Sequence, residues 1–428
     1  MFKKISVILF LGLFLLFSLG GGPQASDGFL LVPMDETQTE HLRAYGLTYR
    51  TIDRREEAEI SWLLNYRGGS FLLPDRERIR RQARIRDITV EAITPAQLEG
   101  IRTEMAEQNM REVPLEVAPE VGVYSPPGMD PWDDAVTLAL EYADIPFDTL
   151  YDEEIVAGEH YEYDWLHLHH EDFTGQYGKF YASYRNAPWY LEMVEDSRER
   201  AERLGFDSVR QSKVYVARQI ADYVEEGGFL FAMCSAPESL DVALATGDYD
   251  CVAPEISGTA VDDECFDNDN FNFEETFAFE DFELVIDPEI YEISNIDISP
   301  DIHQVDPVSE RFQLFDFSAR YDPVPAVLTQ NHQQVVQGFM GQASTFNPDV
   351  IKEHVIEMGH LEDDRVKYVY GPYGEGLFSF LSGHDPEDFA HYVGDPHTNL
   401  SSYPNSPGYR LILNNILFPA VEQPDLKT

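Results

Sequence analysis

The stretch Tyr223-Val-Glu-Glu-Gly-Gly-Phe-Leu-Phe-Ala-Met-Cys-Ser-Ala-Pro237 decides how this chain is read. A polar helix end stops at Gly227-Gly228. Four apolar residues, Phe229 to Ala232, then form a short buried strand. The strand runs into Cys234, and Pro237-Glu238-Ser239-Leu240 opens a new helix. A nucleophile on a sharp strand-to-helix turn needs small neighbours two residues away on each side, because the flanking backbones nearly touch. Ala232 and Ala236 meet that need. Such a turn holds the thiol at the C-terminal edge of a parallel sheet, where α/β folds place their ligands. The alternative is a free Cys that simply packs, as buried cysteines usually do.

Working outward, strands alternate with helices. Val121-Gly-Val-Tyr, Phe147 to Tyr151 and Trp165-Leu-His-Leu-His read as strands. Pro131–Ala143, Pro188–Leu204 and Ser212–Val224 read as helices. The helix after Cys234 runs to Ala245. This alternation predicts an α/β fold: a doubly wound, mostly parallel sheet covered on both faces. Residues 246–330 break the pattern with Asp, Glu, Asn and Phe, and read as an acidic insertion. Regularity returns at Val335 to Met340, Val366 to Tyr370, Gly376 to Leu381 and a last helix, Tyr409 to Leu417.

Upstream, Phe29-Leu-Leu-Val reads as a strand, Thr37 to Tyr45 as a helix with Thr37-Gln-Thr-Glu40 as a capping box, and Gly68-Gly69 as a turn between two strands. The expected organisation is a signal segment at 1–26, an N-terminal α/β region at 27–117, the main domain at 118–420 and a tail at 421–428. Lys3-Lys4 followed by an apolar run is the pattern of a secretory signal, so export to a periplasm or the exterior is expected. No later segment is long and apolar enough to span a membrane.

The 428 residues carry 78 Asp+Glu against 30 Lys+Arg, a net charge of -48. A basic footprint for nucleic acid is absent, so DNA and RNA are excluded as partners. So large an acidic excess, spread along the whole chain, suits work in concentrated salt, where screening suppresses self-repulsion. Of three cysteines, Cys251 and Cys265 can close a short loop as a disulfide, which leaves Cys234 as the odd thiol.

The order of elements from Val121 to Ala420 resembles the class I glutamine amidotransferase-like superfamily. Three segments carry it: Val121 to Ala143, the Gly-Gly-strand-Cys234 elbow, and Gly374-Glu-Gly-Leu-Phe-Ser-Phe-Leu-Ser-Gly-His-Asp-Pro-Glu387. The resemblance implies Cys234 as nucleophile, His384 as base, Glu387 as the acid that orients it, and the Ser235 N–H as an oxyanion donor. The chain departs from the family at Ala236, where Gly is usual. It also departs at Asp385, inserted between His384 and the acid, so Asp385, Glu387 or Asp388 can take the orienting role. Hydrolysis or acyl transfer at an amide or ester is therefore expected, with glutaminase activity left open.

Nearly the whole chain also resembles exported bacterial proteins labelled "asparagine synthetase B". The shared segments include Trp62-Leu-Leu-Asn-Tyr-Arg-Gly-Gly-Ser-Phe71, Tyr163 to Gly178, and Pro404-Asn-Ser-Pro-Gly-Tyr-Arg410. The label lacks its chemistry: neither an N-terminal Cys nucleophile nor a pyrophosphate loop is present, so a genuine asparagine synthetase is excluded.

His167, His169 and His170 end a strand and are followed by Glu171 and Asp172. His167 and His169 share a strand face. With Asp385 and Asp388 these groups are expected to line a pocket near Cys234 and His384. Imidazole and carboxylate suit a divalent ion such as Zn²⁺, with His169, His170 and His391 as candidate ligands. The alternative is a tight loop in which these groups satisfy one another. The aromatics Phe180, Tyr181, Tyr184 and Trp189 suit either stacking on a ring or anchoring the loop. The competing function is a non-catalytic or metal-dependent glycan- or peptide-binding protein on the same fold, and the expected partner is a small-molecule, peptide or glycan ligand.

Overall fold

A computed structural model describes residues 28–54, 59–127, 134–247, 249–299, 311–339, 345–387 and 396–421. The signal segment, Asp388 and His391 lie outside the described residues.

Two sheets organise the chain. Strands β1 (Phe29–Val32), β2 (Ser61–Leu64), β3 (Ser70–Pro74), β4 (Glu91–Ile93) and β5 (Arg111–Pro114) form an antiparallel sheet in the order β4-β1-β3-β2-β5. The second sheet has nine strands. These are β6 (Val121–Tyr124), β7 (Asp148–Leu150), β8 (Trp165–Leu168), β9 (Phe229–Met233), β10 (Phe312–Leu314), β11 (Val335–Val336), β12 (Ile356–Leu361), β13 (Val366–Tyr373) and β14 (Gly376–Leu381). Their order is β11-β10-β12-β13-β14-β9-β8-β6-β7. Neighbours from β7 through β14 are parallel. From β14 outward through β13, β12, β10 and β11 they are antiparallel.

The fold is therefore mixed α/β, and the expectation of a mostly parallel sheet is corrected: half of the large sheet is an antiparallel extension. The physical reason is chain length between strands. Residues 374 and 375 alone separate β13 from β14, room for a hairpin but not for the crossover helix a parallel pair requires. Residues 246–330 are not wholly outside the sheet either, since β10 pairs with β12.

Both faces of the sheet are covered. Phe229, Phe231 and Met233 join one core with helices Ala135–Ala143 and Pro407–Leu417; Leu230 and Ala232 join another with helices Val209–Glu225 and Ala236–Ala245. The period of two along β9 thus feeds two cores, which is why this strand is an unbroken apolar run.

The N-terminal sheet shares the first core with the main sheet. Helix His41–Asp53 lies so close to helix Ala135–Ala143 that a Cβ on Gly46 would sit 1.6 Å from the Ala143 oxygen. This helix starts at His41, not at Thr37: Thr37 N–H donates to Asp35 at 3.1 Å, and Glu40 caps without a side-chain bond. The expected capping box is absent because Asp35 competes for Thr37. Arg410, fully buried, donates to the carbonyls of Met34 (3.0 Å) and Gly68 (2.8 Å). His41 stacks on His332 at 4.2 Å. Residues 62–71 and 404–410 thus both supply groups to this junction. Among the described residues, no helix is long and apolar enough to cross a membrane.

Candidate functional site

Cys234 follows β9 and precedes helix Ala236–Ala245, and its φ is 56°. A non-glycine residue in the left-handed region is uncommon and marks backbone held by its surroundings. Two bonds hold it. Ala236 N–H donates to the His169 carbonyl at 3.2 Å, and Ser235 Oγ donates to the His170 carbonyl at 3.2 Å. The turn after β9 is therefore pinned to the loop after β8. Ala232 and Ala236 are fully buried, as close backbone packing demands.

The Cys234 thiol is itself buried, 2% exposed. Burial pushes it up to about 12; hydrogen bonding from Ser235, backbone and side chain, opposes this, and Asp297 and Glu171 add to it. The resting sulfur is a thiol. Cys251 and Cys265 are joined in a disulfide, and Cys234 is not disulfide-bonded.

Register brings the histidines to the same edge. Leu381 of β14 pairs with Met233 of β9, and Leu168 of β8 pairs with Ala232, so the three strands end side by side. The His169 ring lies 4.6 Å from His384 and 5.1 Å from His170, edge-on to both. His170 and His384 are nearly parallel at 5.8 Å. His167, one strand pair deeper, lies 5.6 Å from His169. Its Nδ1 is 2.9 Å from the Phe231 carbonyl, which can only accept, so Nδ1 carries the hydrogen. Burial pushes His167 down to about 3.

Gly383 sets the approach to His384. Its φ is 87°, and a Cβ there would lie 1.9 Å from the Phe339 oxygen. Asp385 is committed to the loop: it accepts from Tyr409 Oη at 2.7 Å and from Glu387 N–H at 2.7 Å. Glu387 is raised by burial, and a hydrogen bond from Ser406 opposes the shift. Glu171 accepts from His169 N–H at 2.9 Å, and burial pushes it up to about 8. Asp172 builds its own turn, accepting from Thr174 N–H (2.7 Å) and Gly178 N–H (3.2 Å).

Three acids escaped the sequence reading. Asp134 caps helix Ala135–Ala143, accepting from Val136 N–H at 2.8 Å and Thr137 N–H at 3.1 Å. Its Oδ1 lies 3.7 Å from His169 Nδ1 and 4.0 Å from His167 Nε2. An Asp immediately before an apolar helical run is an N-cap signal, which starting the helix at Pro131 concealed. Glu238 accepts from Ser294 N–H at 2.9 Å, and burial followed by the charge of Asp297 raises its carboxyl. Nothing local in the sequence marks that pair.

A cavity of about 100 Å³ adjoins the cluster, lined among others by His170, Glu171, Tyr151, Tyr177, Phe180 and Lys213. Phe180, Tyr184 and Trp189 pack on one another in a small separate core at ring distances of 5.1–6.1 Å.

No family model and no curated protein matches the chain. Among solved structures, it is similar to cytoplasmic protein STM3548 from Salmonella typhimurium, at 11% identity and a TM-score of 0.33, over 71% of this chain and 100% of that one. It is likewise similar to cytoplasmic protein STM1381 from Salmonella typhimurium LT2, at 13% identity and a TM-score of 0.32, over 71% of this chain and 99% of that one. Likenesses this slight carry no functional argument.

Proposed function

We propose that this is an exported, amidotransferase-like protein whose Cys234 attacks the carbonyl carbon of an amide or ester. The observation that carries the reading is the left-handed backbone of Cys234 on a strand-to-helix turn, at the edge where His169, His170 and His384 gather. The order of the parallel strands, β7-β6-β8-β9-β14, supports it, since it follows the 2-1-3-4-5 order of flavodoxin-like sheets. The disulfide supports export, because such bonds persist in oxidising compartments.

A thiol pushed up by burial does not attack as a preformed thiolate. A neutral imidazole, assigned to His384, takes the proton as the S–C bond forms. The Ser235 N–H stabilises the oxyanion, and collapse breaks the bond to the leaving amine or alcohol, which receives the proton from the imidazole. Water then cleaves the thioester by the reverse sequence.

A second reading, a peptide or glycan binder, is favoured by the burial of Cys234 and by the adjoining cavity with its tyrosines. Labelling of the folded protein with a small alkylating reagent separates them. Stoichiometric modification of native protein, absent in Cys234→Ala, supports the nucleophile. Modification only after unfolding selects the binder.

A further inference from the structure

We propose that Asp134, His167 and His169 form a binding site for a divalent first-row transition-metal ion of the Zn²⁺ class. The site is independent of Cys234 chemistry and stands whether or not the thiol reacts.

The argument begins at His167. Its ring is fully buried, and its Nδ1–H is spent on the Phe231 carbonyl at 2.9 Å. The remaining nitrogen, Nε2, has no hydrogen-bond partner among the described residues. In the neutral ring that nitrogen presents a lone pair. It faces Asp134 Oδ1 at 4.0 Å, and His169 Nδ1 faces the same oxygen at 3.7 Å. The His167 Nε2 lone pair and the Asp134 carboxylate repel unless something positive lies between them. A proton on His167 Nε2 is one candidate, but Asp134 Oδ1, at 4.0 Å, lies beyond hydrogen-bond reach of it. A metal ion is the other, and it needs the deprotonated nitrogen that the Phe231 bond enforces. Metal-binding imidazoles generally donate their second N–H in this way, which fixes both tautomer and aim.

The spacing fits. One donor atom from each of the three residues lies within 4.8 Å of the others. Donors around tetrahedral Zn²⁺, at about 2.0–2.1 Å from the ion, stand roughly 3.3 Å apart, so closure needs shifts of a few tenths of an ångström per residue. The donor set selects the metal. Two imidazoles and one carboxylate suit zinc and its neighbours, whereas Ca²⁺ and Mg²⁺ ask for oxygen ligands. Three protein ligands leave a coordination position open, the pattern of sites that act on a bound molecule. Asp134 is also well held, because its helix-capping bonds fix the carboxylate.

His169, His170 and His384 form a second group whose donor atoms also lie within 4.8 Å of one another. The Asp134 group is preferred because it brings a carboxylate to offset the ion's charge and a histidine of fixed tautomer.

The test uses the full chain in molar NaCl, stripped with chelator and then titrated with Zn²⁺ or Co²⁺. The expected result is about one ion per chain, with the intense visible absorption of low-coordinate cobalt. His167→Ala and Asp134→Asn each weaken binding by more than about 100-fold. Asn caps a helix as well as Asp does, so the second variant keeps the fold while losing the ligand charge. Cys234→Ala keeps the ion, which separates this site from the fate of the nucleophile reading. The proposal is overturned if the stripped wild type takes up neither metal, or if His167→Ala and Asp134→Asn bind as tightly as wild type. It is equally overturned if only His170→Ala or His384→Ala releases the ion, which would assign it to the three-imidazole group.

Discussion

The backbone N–H of Ala236 donates to the carbonyl of His169 at 3.2 Å. This bond joins the first residue of the helix after the cysteine turn to the middle of the histidine loop. The strained turn is thus tied through its backbone to the loop that carries the imidazole cluster.

The first expectation concerns Cys234. Burial raises its thiol to about 12, so the rate of alkylation should rise about tenfold per pH unit between roughly pH 7 and pH 10. Stopped-flow or mass-spectrometric labelling reads this directly. A plateau already reached near neutrality would mean a thiolate–imidazolium pair, contrary to the geometry described.

Arg410 bolts the N-terminal sheet to the last helix. Replacing it by Ala strips the carbonyls of Met34 and Gly68 of a buried donor and should cost about 3–5 kcal/mol. Denaturant unfolding measures it. A loss below about 1 kcal/mol would show that the junction is wet and the bonds replaceable.

At the same junction burial pushes His41 down to about 4 and His332 down to about 3, the charge of Arg410 adding to both. Their folded values lie below the unfolded one of about 6.5. The unfolded chain therefore binds protons first as pH falls, and this contribution to stability, full above about pH 6.5, is lost on the way down to pH 4. His332→Gln should flatten the acid limb of the stability curve. An unchanged limb would place the sensitivity elsewhere.

Glu238 works in the opposite sense. Burial and the charge of Asp297 raise its folded value, so its stability contribution is full below the usual carboxyl range and lost as pH rises through the folded value. Glu238→Gln, whose side-chain oxygen can still accept from Ser294, should raise the melting temperature at alkaline pH and not at pH 4. Equal shifts at both pH values would contradict the assignment.

A net charge of -48 predicts self-repulsion that salt relieves. The thermal midpoint should climb steadily between about 0.1 M and 3 M NaCl. A midpoint indifferent to salt would remove the argument for a brine-adapted protein.

Local signals were strong where one segment decides its own conformation. The apolar run Phe229 to Ala232 between Gly-Gly and Cys234, and the helix Pro188–Leu204 with Pro at its start, follow from periodicity, propensity and caps alone. The two-residue period likewise put His167 and His169 on one face. The sequence could not give the direction of β10 to β13, because alternation of side chains reads the same in parallel and antiparallel strands. Nor could it join Asp134 to His167 and His169. That contact exists because β6 and β8 pair in parallel, Val123 beside His167, which sets the helix following β6 over the end of β8. The depth of Cys234 was decided in the same way. A turn specifies the backbone of its cysteine, but how much water reaches the sulfur depends on what packs over it, and that is decided by contacts between residues far apart in the chain.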